Sequence, residues 1–269
     1  MRPFILGCCL LFLLTACQDT GKEEATKKTV KEDAPMNEIV VEKKEAPKEA
    51  AFVTQSEPKY SVTEDWSIRP LDEATNEKVV LLTIDDAPDK YAVDMANTLK
   101  KLDAPAIFFV NGHFLDTNEQ KQKLKEIYDM GFEIGNHTYS HTALDELSEQ
   151  KQKEEITSVS QMVEEITGEK PKFFRAPFGI NTDFSEQVAK EQGMILMNWT
   201  YGYDWDQNYM TEESIADIMI NTELLRSGSN LLMHDREWTA AALDEIVKGL
   251  RGKGYELVDP ELIQTLPVQ

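Results

Sequence analysis

With 269 residues, 41% of them hydrophobic, the chain is long enough to bury one sizeable core. Its 49 acidic residues against 28 basic ones leave a formal charge of −21. That balance argues against a nucleic-acid backbone as partner, since such a partner requires clustered Lys and Arg; a neutral or cationic glycan remains open.

Arg2 precedes an apolar run from Phe4 to Leu14, followed by Thr15-Ala16-Cys17. The run falls short of the roughly 20 apolar residues that a spanning helix needs. A basic start, an apolar middle and a small-residue end read as an export signal over residues 1–16. Its ending resembles a bacterial lipobox, which implies lipidation of Cys17 and anchoring on the outer face of the bacterial cell membrane. The alternative is an ordinary cleaved signal with an incidental cysteine. Cys8 and Cys9 would leave with the signal, so no disulfide can form in the mature chain. Residues 17–64 are rich in Lys, Glu, Ala, Thr and Pro and hold almost no aromatics. Too little apolar surface is available there to offset the entropy of ordering, and a disordered, charged tether is expected. Residues 65–269 form the expected domain.

Val79-Val80-Leu81-Leu82 reads as a buried strand, closing on Thr83-Ile84-Asp85-Asp86-Ala87-Pro88. Adjacent carboxylates at a strand end repel and lose hydration, so they call for a cation or hydrogen bonds; Pro88 turns the chain there. A polar strand end before a helix cap is the plainer alternative. A helix follows over 91–102, then a strand over 106–110. Thr117 and Gln120 form a capping box for a helix ending at Met130, before a strand over 132–134 that runs into Gly135-Asn136-His137. A long helix over 148–167 stops at Gly168, and Phe173-Phe174 leads to Arg175. Asp183 and Glu186 read as another capping box, with a strand over 194–199 beyond it. Thr211 caps a helix to Leu225, a strand covers 230–233, Thr239 opens the last helix, and 255–258 is a final strand.

That alternation is an α/β pattern of about seven units, fitting a barrel or an open doubly wound sheet. In both folds ligands bind at the carboxyl ends of strands. Asp85, Asp86, His137, Arg175, Asp204 and His234 all fall there.

His137-Thr138-Tyr139-Ser140-His141 has the spacing that places two imidazoles on one metal, with a solvated polar loop as the alternative. Position 138 is Thr, so the motif lacks the base that helix-borne metalloproteases carry between their ligands. Asp86 supplies the carboxylate of a two-histidine, one-carboxylate face for a divalent ion, zinc or another. Asp85 can then accept a proton from water at the ion, and His234 can protonate a poor leaving group; a structural His234 is the plainer reading. His113 reads as a supporting loop residue. Tyr201, Tyr203, Trp205 and Trp238 are candidates for stacking on sugar rings, or for packing.

From about Glu77 to Pro260 the chain resembles the polysaccharide deacetylases of the NodB-homology type (carbohydrate esterase family 4). The motifs run in the family's order: residues 83–88, 137–141, Arg175-Ala176-Pro177-Phe178-Gly179, Asp204-Trp205 and Leu232-Met233-His234. The resemblance implies a distorted (β/α)7-type barrel and hydrolysis of acetyl groups from N-acetylglucosamine units of an extracellular polysaccharide, peptidoglycan or chitin-like. It implies Asp85 as general base and His234 as general acid, with Arg175 orienting Asp85 and Asp204 raising the pKa of His234. Asp86, His137 and His141 would be metal ligands, zinc first among the ions. The Phe178 N–H would stabilise the oxyanion, Trp205 would wall the acetyl pocket, and Pro177, Tyr203 and Leu232 would line the substrate site. Ala87 stands where the family usually has glycine; at positive φ it would cost about 1 kcal/mol. The fourth motif is looser than usual, with Asp206 as a rival to Asp204. A glycan-binding protein without turnover, or an O-deacetylase of another polysaccharide, are the competing readings.

Overall fold

The computed structural model of the chain describes residues 57–265. The expected signal, Cys17 and most of the expected tether lie outside the described residues. An antiparallel pair comes first, β1 (Tyr60–Val62) with β2 (Ile68–Pro70). The alternation then runs β3 (Val79–Ala87), α1 (Ala92–Lys101), β4 (Ile107–Val110), α2 (Asn118–Asp129), β5 (Glu133–Asn136), α3 (Glu149–Thr167), β6 (Phe173–Phe174) and α4 (Asp183–Glu191). It continues with β7 (Ile195–Leu196), β8 (Tyr201–Gly202), α5 (Glu212–Asn221), β9 (Ser229–His234), α6 (Glu237–Gly252) and β10 (Glu256–Leu257).

All ladders of the main sheet are parallel, in the order β7-β6-β5-β4-β3-β9-β8, with β10 paired to the start of β3. The edge strands β7 and β8 are consecutive in the chain. Residues 197–200 therefore bridge the two edges, and the sheet curls into a distorted βα barrel with β7 and β8 left unpaired to each other, the barrel alternative of the two the alternation allowed. The helices pack around it in the order α5-α6-α1-α2-α3-α4.

Residues of the central strands alternate between two cores. Val79, Leu81, Ile107, Phe109, Phe173 and Met197 fill the barrel. Val80, Leu82, Ile84, Phe108, Val110, Leu231 and Met233 meet the helices. With both faces covered, the strands carry continuous apolar runs, and each buried side chain of this size stabilises by ~1.5–3 kcal/mol.

The N-terminal pair closes the lower end of the barrel, where Tyr60 and Ile68 join the interior cluster with Val258 and Ile263. The Ile68 N–H donates to the Gly228 carbonyl at 2.8 Å. Gly228 has φ +80°, and a Cβ there would lie 2.3 Å from the Ile68 oxygen, so the approach requires glycine. The expected tether to residue 64 is thus corrected: Tyr60–Val62 is a strand because its apolar residues plug the barrel.

Other boundaries also move. The strand expected over 194–199 is only β7, with the separate β8 beyond it at 201–202, because the Met197 and Asn198 carbonyls turn to the Arg175 guanidinium instead of continuing a ladder. The box that starts α4 is Thr182 with Ser185, not Asp183 with Glu186. Helix α5 stops at Asn221, where Thr222 becomes extended (ψ 145°), short of Leu225. Helix α6 starts at Glu237, and Thr239 lies in its first turn with its hydroxyl on Asp204.

Candidate active site

Strict alternation along β3 would send Asp85 and Asp86 to opposite faces of the sheet. The register against β4 shifts between Ile84 and Ala87, and Asp86 adopts φ 61°. This bulge turns both carboxylates to the rim. Each then has its own cation: the Arg175 guanidinium donates to Asp85 Oδ1 at 2.6 Å, and Arg236 donates to Asp86 Oδ2 at 3.0 Å. The left-handed residue is Asp86, whereas Ala87 keeps negative φ and is fully buried in the outer core. The strain anticipated at Ala87 is absent.

The histidine pair lies in the loop after β5. Asn136, fully buried, accepts from the Thr138 N–H at 2.9 Å and donates to the Ile156 carbonyl on α3 at 2.7 Å. Glu155 accepts from the Ser140 N–H at 2.7 Å. So held, Thr138 (φ 66°) and His141 (φ 58°) take left-handed backbones, and the imidazoles of His137 and His141 meet with centroids 5.0 Å apart. His137 Nδ1 lies 2.8 Å from the Arg175 carbonyl, which leaves its Nε2 for the site. One candidate ligand atom from each of Asp86, His137 and His141 falls within 4.8 Å of the others. Burial, reinforced by His137, outweighs Asp86 and Asp85 and puts the His141 pKa below the ordinary histidine value. Two imidazoles, one with its Nδ1 already engaged, and a carboxylate make a donor set that can hold a divalent ion.

Asp85 stands against this cluster, its Oδ2 3.5 Å from His137 Nε2. In the β3–β9 register its partner is His234. The Nδ1–H of His234 donates to Asp204 Oδ1 at 2.7 Å, while Asp204 Oδ2 accepts from the His234 N–H and from the Thr239 hydroxyl. Burial opposes charge on His234, but the hydrogen bond and charge of Asp204, with Asp85 and Asp86, raise its pKa above the ordinary histidine value. Asp206 instead caps the short turn at residues 207–209, so the partner of His234 is Asp204.

Two exposed aromatics touch the histidines. Phe178, 62% exposed, holds φ 59° on the turn opened by buried Pro177, and its ring meets that of His141 at 4.8 Å. Trp205, 49% exposed, sets its edge on His234 at 5.6 Å. Leu232 is buried in β9, with the same strand parity as His234. Tyr203 is not among these contacts: its hydroxyl pairs with Thr222 at 2.6 Å and its ring packs on Tyr201 and Tyr209. Tyr201 is buried with its hydroxyl on the Met219 carbonyl, and Trp238 gives its indole N–H to the Asp204 carbonyl. His113 lies 2.7 Å from the Tyr139 carbonyl, on the same loop.

Sequence reasoning missed Arg236, Asp235 and Asn136. Asp235 accepts from the Lys90 and Tyr91 N–H groups at 3.0 and 2.5 Å, pinning the segment after β3. A lone Arg and a lone Asp beside a helix start carry no spacing signal. Their position directly after His234 was the available clue.

Residues 72–197 match the family model of the polysaccharide deacetylases. A peptidoglycan-N-acetylglucosamine deacetylase of Bacillus cereus is 34% identical over 191 residues, 68% of this chain and 86% of that one. The peptidoglycan-N-acetylmuramic acid deacetylase PdaC of Bacillus subtilis is 32% identical over 200 residues, 72% of this chain but only 40% of that protein's length. Among solved structures, a CE4 family pseudoenzyme from Bacillus anthracis aligns with a TM-score of 0.63 at 28% identity, over 70% of this chain and 67% of that one.

Proposed function

The chain belongs to the polysaccharide deacetylase family, and we propose that it removes acetyl groups from N-acetylated sugars of a bacterial wall glycan, N-acetylglucosamine units of peptidoglycan first. The observation that carries this reading is the joining of three groups on one rim. They are a cluster able to hold a metal, a carboxylate paired to a buried arginine, and a histidine backed by an aspartate. Asp86, His137 and His141 would hold the divalent ion, zinc by the match of two imidazoles and a carboxylate to its preferences. An ion there supplies Lewis acidity for the acetyl carbonyl and for water.

Asp85 takes the proton of the attacking water, with Arg175 fixing the carboxylate so that Oδ2 points to the cluster. His234, held by Asp204 through Nδ1, delivers a proton from Nε2 to the departing amine. Without it the tetrahedral species would return to the amide, because an unprotonated amine is a poor leaving group. The Phe178 N–H serves the developing oxyanion. Phe178 and Trp205 offer apolar surface on the two histidine sides of the site.

Acetate release from peptidoglycan and from acetylated chitooligomers, with glucosamine and muramic acid quantified separately, tests the reading. Release should stop on chelation and fall by ~10²–10⁴ in Asp85→Asn. Full activity in that variant sinks the mechanism. For location, we propose that the protein is exported and acylated at Cys17. Lipid labelling of the full chain should vanish in Cys17→Ala, and unchanged labelling counts against an anchor at that residue.

A further inference from the structure

The geometry points to Arg236 as a positioning residue for the metal site, one that fixes the carboxylate of Asp86 in the orientation an ion requires. The inference rests on the metal reading above and adds a residue to it. Asp86 has two oxygens with separate fates: Oδ2 accepts from Arg236 at 3.0 Å, while Oδ1 faces His141 Nε2 at 3.5 Å. The guanidinium thus occupies one oxygen and leaves the other to complete the ligand set. Arg236 is itself held by its neighbours. The Asp235 N–H donates to the Asp85 carbonyl at 3.0 Å, and the Arg236 N–H donates to the His234 carbonyl at 2.8 Å. The Asp235 side chain clamps the backbone of Lys90 and Tyr91. His234, Asp235 and Arg236 therefore connect, in sequence, the Asp204–His234 pair, the segment after β3 and the metal cluster.

Two effects compete at Asp86. The positive charge of Arg236 withdraws electron density from the carboxylate and weakens it as a ligand. Fixing the rotamer removes the entropy of orienting it on binding. The Arg236 side chain is 41% exposed, so water screens its charge. A hydrogen-bond orientation survives such screening better than a Coulombic effect does, and orientation prevails. Groups that orient a metal ligand are worth 10–100-fold in metal affinity.

Zinc binding to the apo form of the full chain is measured by competition with a chromophoric chelator, for wild type, Arg236→Ala and Arg236→Lys. Arg236→Ala should bind zinc at least ~10-fold more weakly, with its apo circular-dichroism spectrum unchanged, and Arg236→Lys should recover part of the loss. Equal or tighter binding in Arg236→Ala overturns the proposal, because the charge effect would then dominate or neither would matter. If Arg236→Ala does not fold, Arg236→Lys decides: it must bind zinc more weakly than wild type, and equal affinity overturns. Failure of wild type itself to take up zinc overturns the metal reading as a whole, an outcome separate from a wild type that binds and a variant that binds as well.

Discussion

Arg175 and Asp85 form an ion pair inside the barrel, Nη1 to Oδ1 at 2.6 Å, with neither side chain more than 2% exposed. The guanidinium has no water to solvate it, so the protein replaces water group by group. Nε donates to the Met197 carbonyl, Nη1 also to the Thr83 hydroxyl, and Nη2 to the Asn198 carbonyl. Its face stacks on Phe109 at 4.2 Å. Burial lowers the Arg175 pKa, and Asp85 works against that shift.

Removing one partner of a buried pair leaves the other charge uncompensated, at about 3–5 kcal/mol. Arg175→Met should therefore lower the denaturation midpoint by several degrees and cut acetate release by more than ~10². Arg175→Lys keeps the charge but cannot serve four acceptors in one plane, and should fall in between. A Met variant as stable and as active as wild type contradicts the role given to this pair.

The pH dependence should report Asp204. The donating form of His234 is the protonated one, and its pKa is raised above 6.5. Activity then declines as pH rises through that higher value. In Asp204→Asn burial remains but the opposing charge is lost, so the pKa falls and the alkaline limb of kcat moves to lower pH. The same sign governs stability. The His234–Asp204 contribution is fully present below the unfolded pKa near 6.5 and is lost as pH rises through the folded value. An alkaline limb that stays in place in Asp204→Asn assigns it to another group.

Ala87→Gly should not raise activity. Ala87 has negative φ and packs in the outer core, so glycine there relieves no strain and adds backbone entropy to the unfolded chain. The expected result is unchanged kcat and a loss of about 0.5–1 kcal/mol in chemical denaturation. A marked gain in turnover would show that the alanine impairs the site.

Gly202→Ala, by contrast, should damage the site as well as the fold. A Cβ at Gly202 would lie 2.5 Å from the Leu232 oxygen and 2.9 Å from Trp205 Cζ3. Overpacking of this kind costs about 1–3 kcal/mol. It also displaces Trp205, whose edge rests on His234, so both stability and acetate release should drop. A crystal structure of the variant with Trp205 unmoved, together with full activity, would remove Trp205 from the site.

Much of this was legible in advance, for physical reasons. Strands buried on both faces show as apolar runs, and capping boxes such as Thr117–Gln120 announce helix starts locally. The H-x3-H spacing brought His137 and His141 together as expected, through two left-handed residues in the loop after β5. What sequence could not supply depends on partners distant in the chain. The break between β7 and β8 is dictated by Arg175, more than 20 residues earlier. The grip of Arg236 on Asp86 spans 150 residues. Tyr203 looked like its neighbour Trp205, yet Thr222 at the end of α5 draws it into packing. A bulge in β3, invisible to a period-of-two reading, decides that both Asp85 and Asp86 face the site.

The plug formed by β1 and β2 fixes where outside force enters the molecule. The Lys59 N–H is bonded to the Leu262 carbonyl and Ile68 to Gly228, beside the starting ends of β3 and β9, whereas Asp85 and His234 sit at the finishing ends of those strands. A pull on the residues preceding 57 is thus delivered to the floor of the barrel, with the length of two parallel strands between it and the chemistry. The two ends of the barrel thus divide the labour, one receiving the chain and the other holding Asp85 and His234.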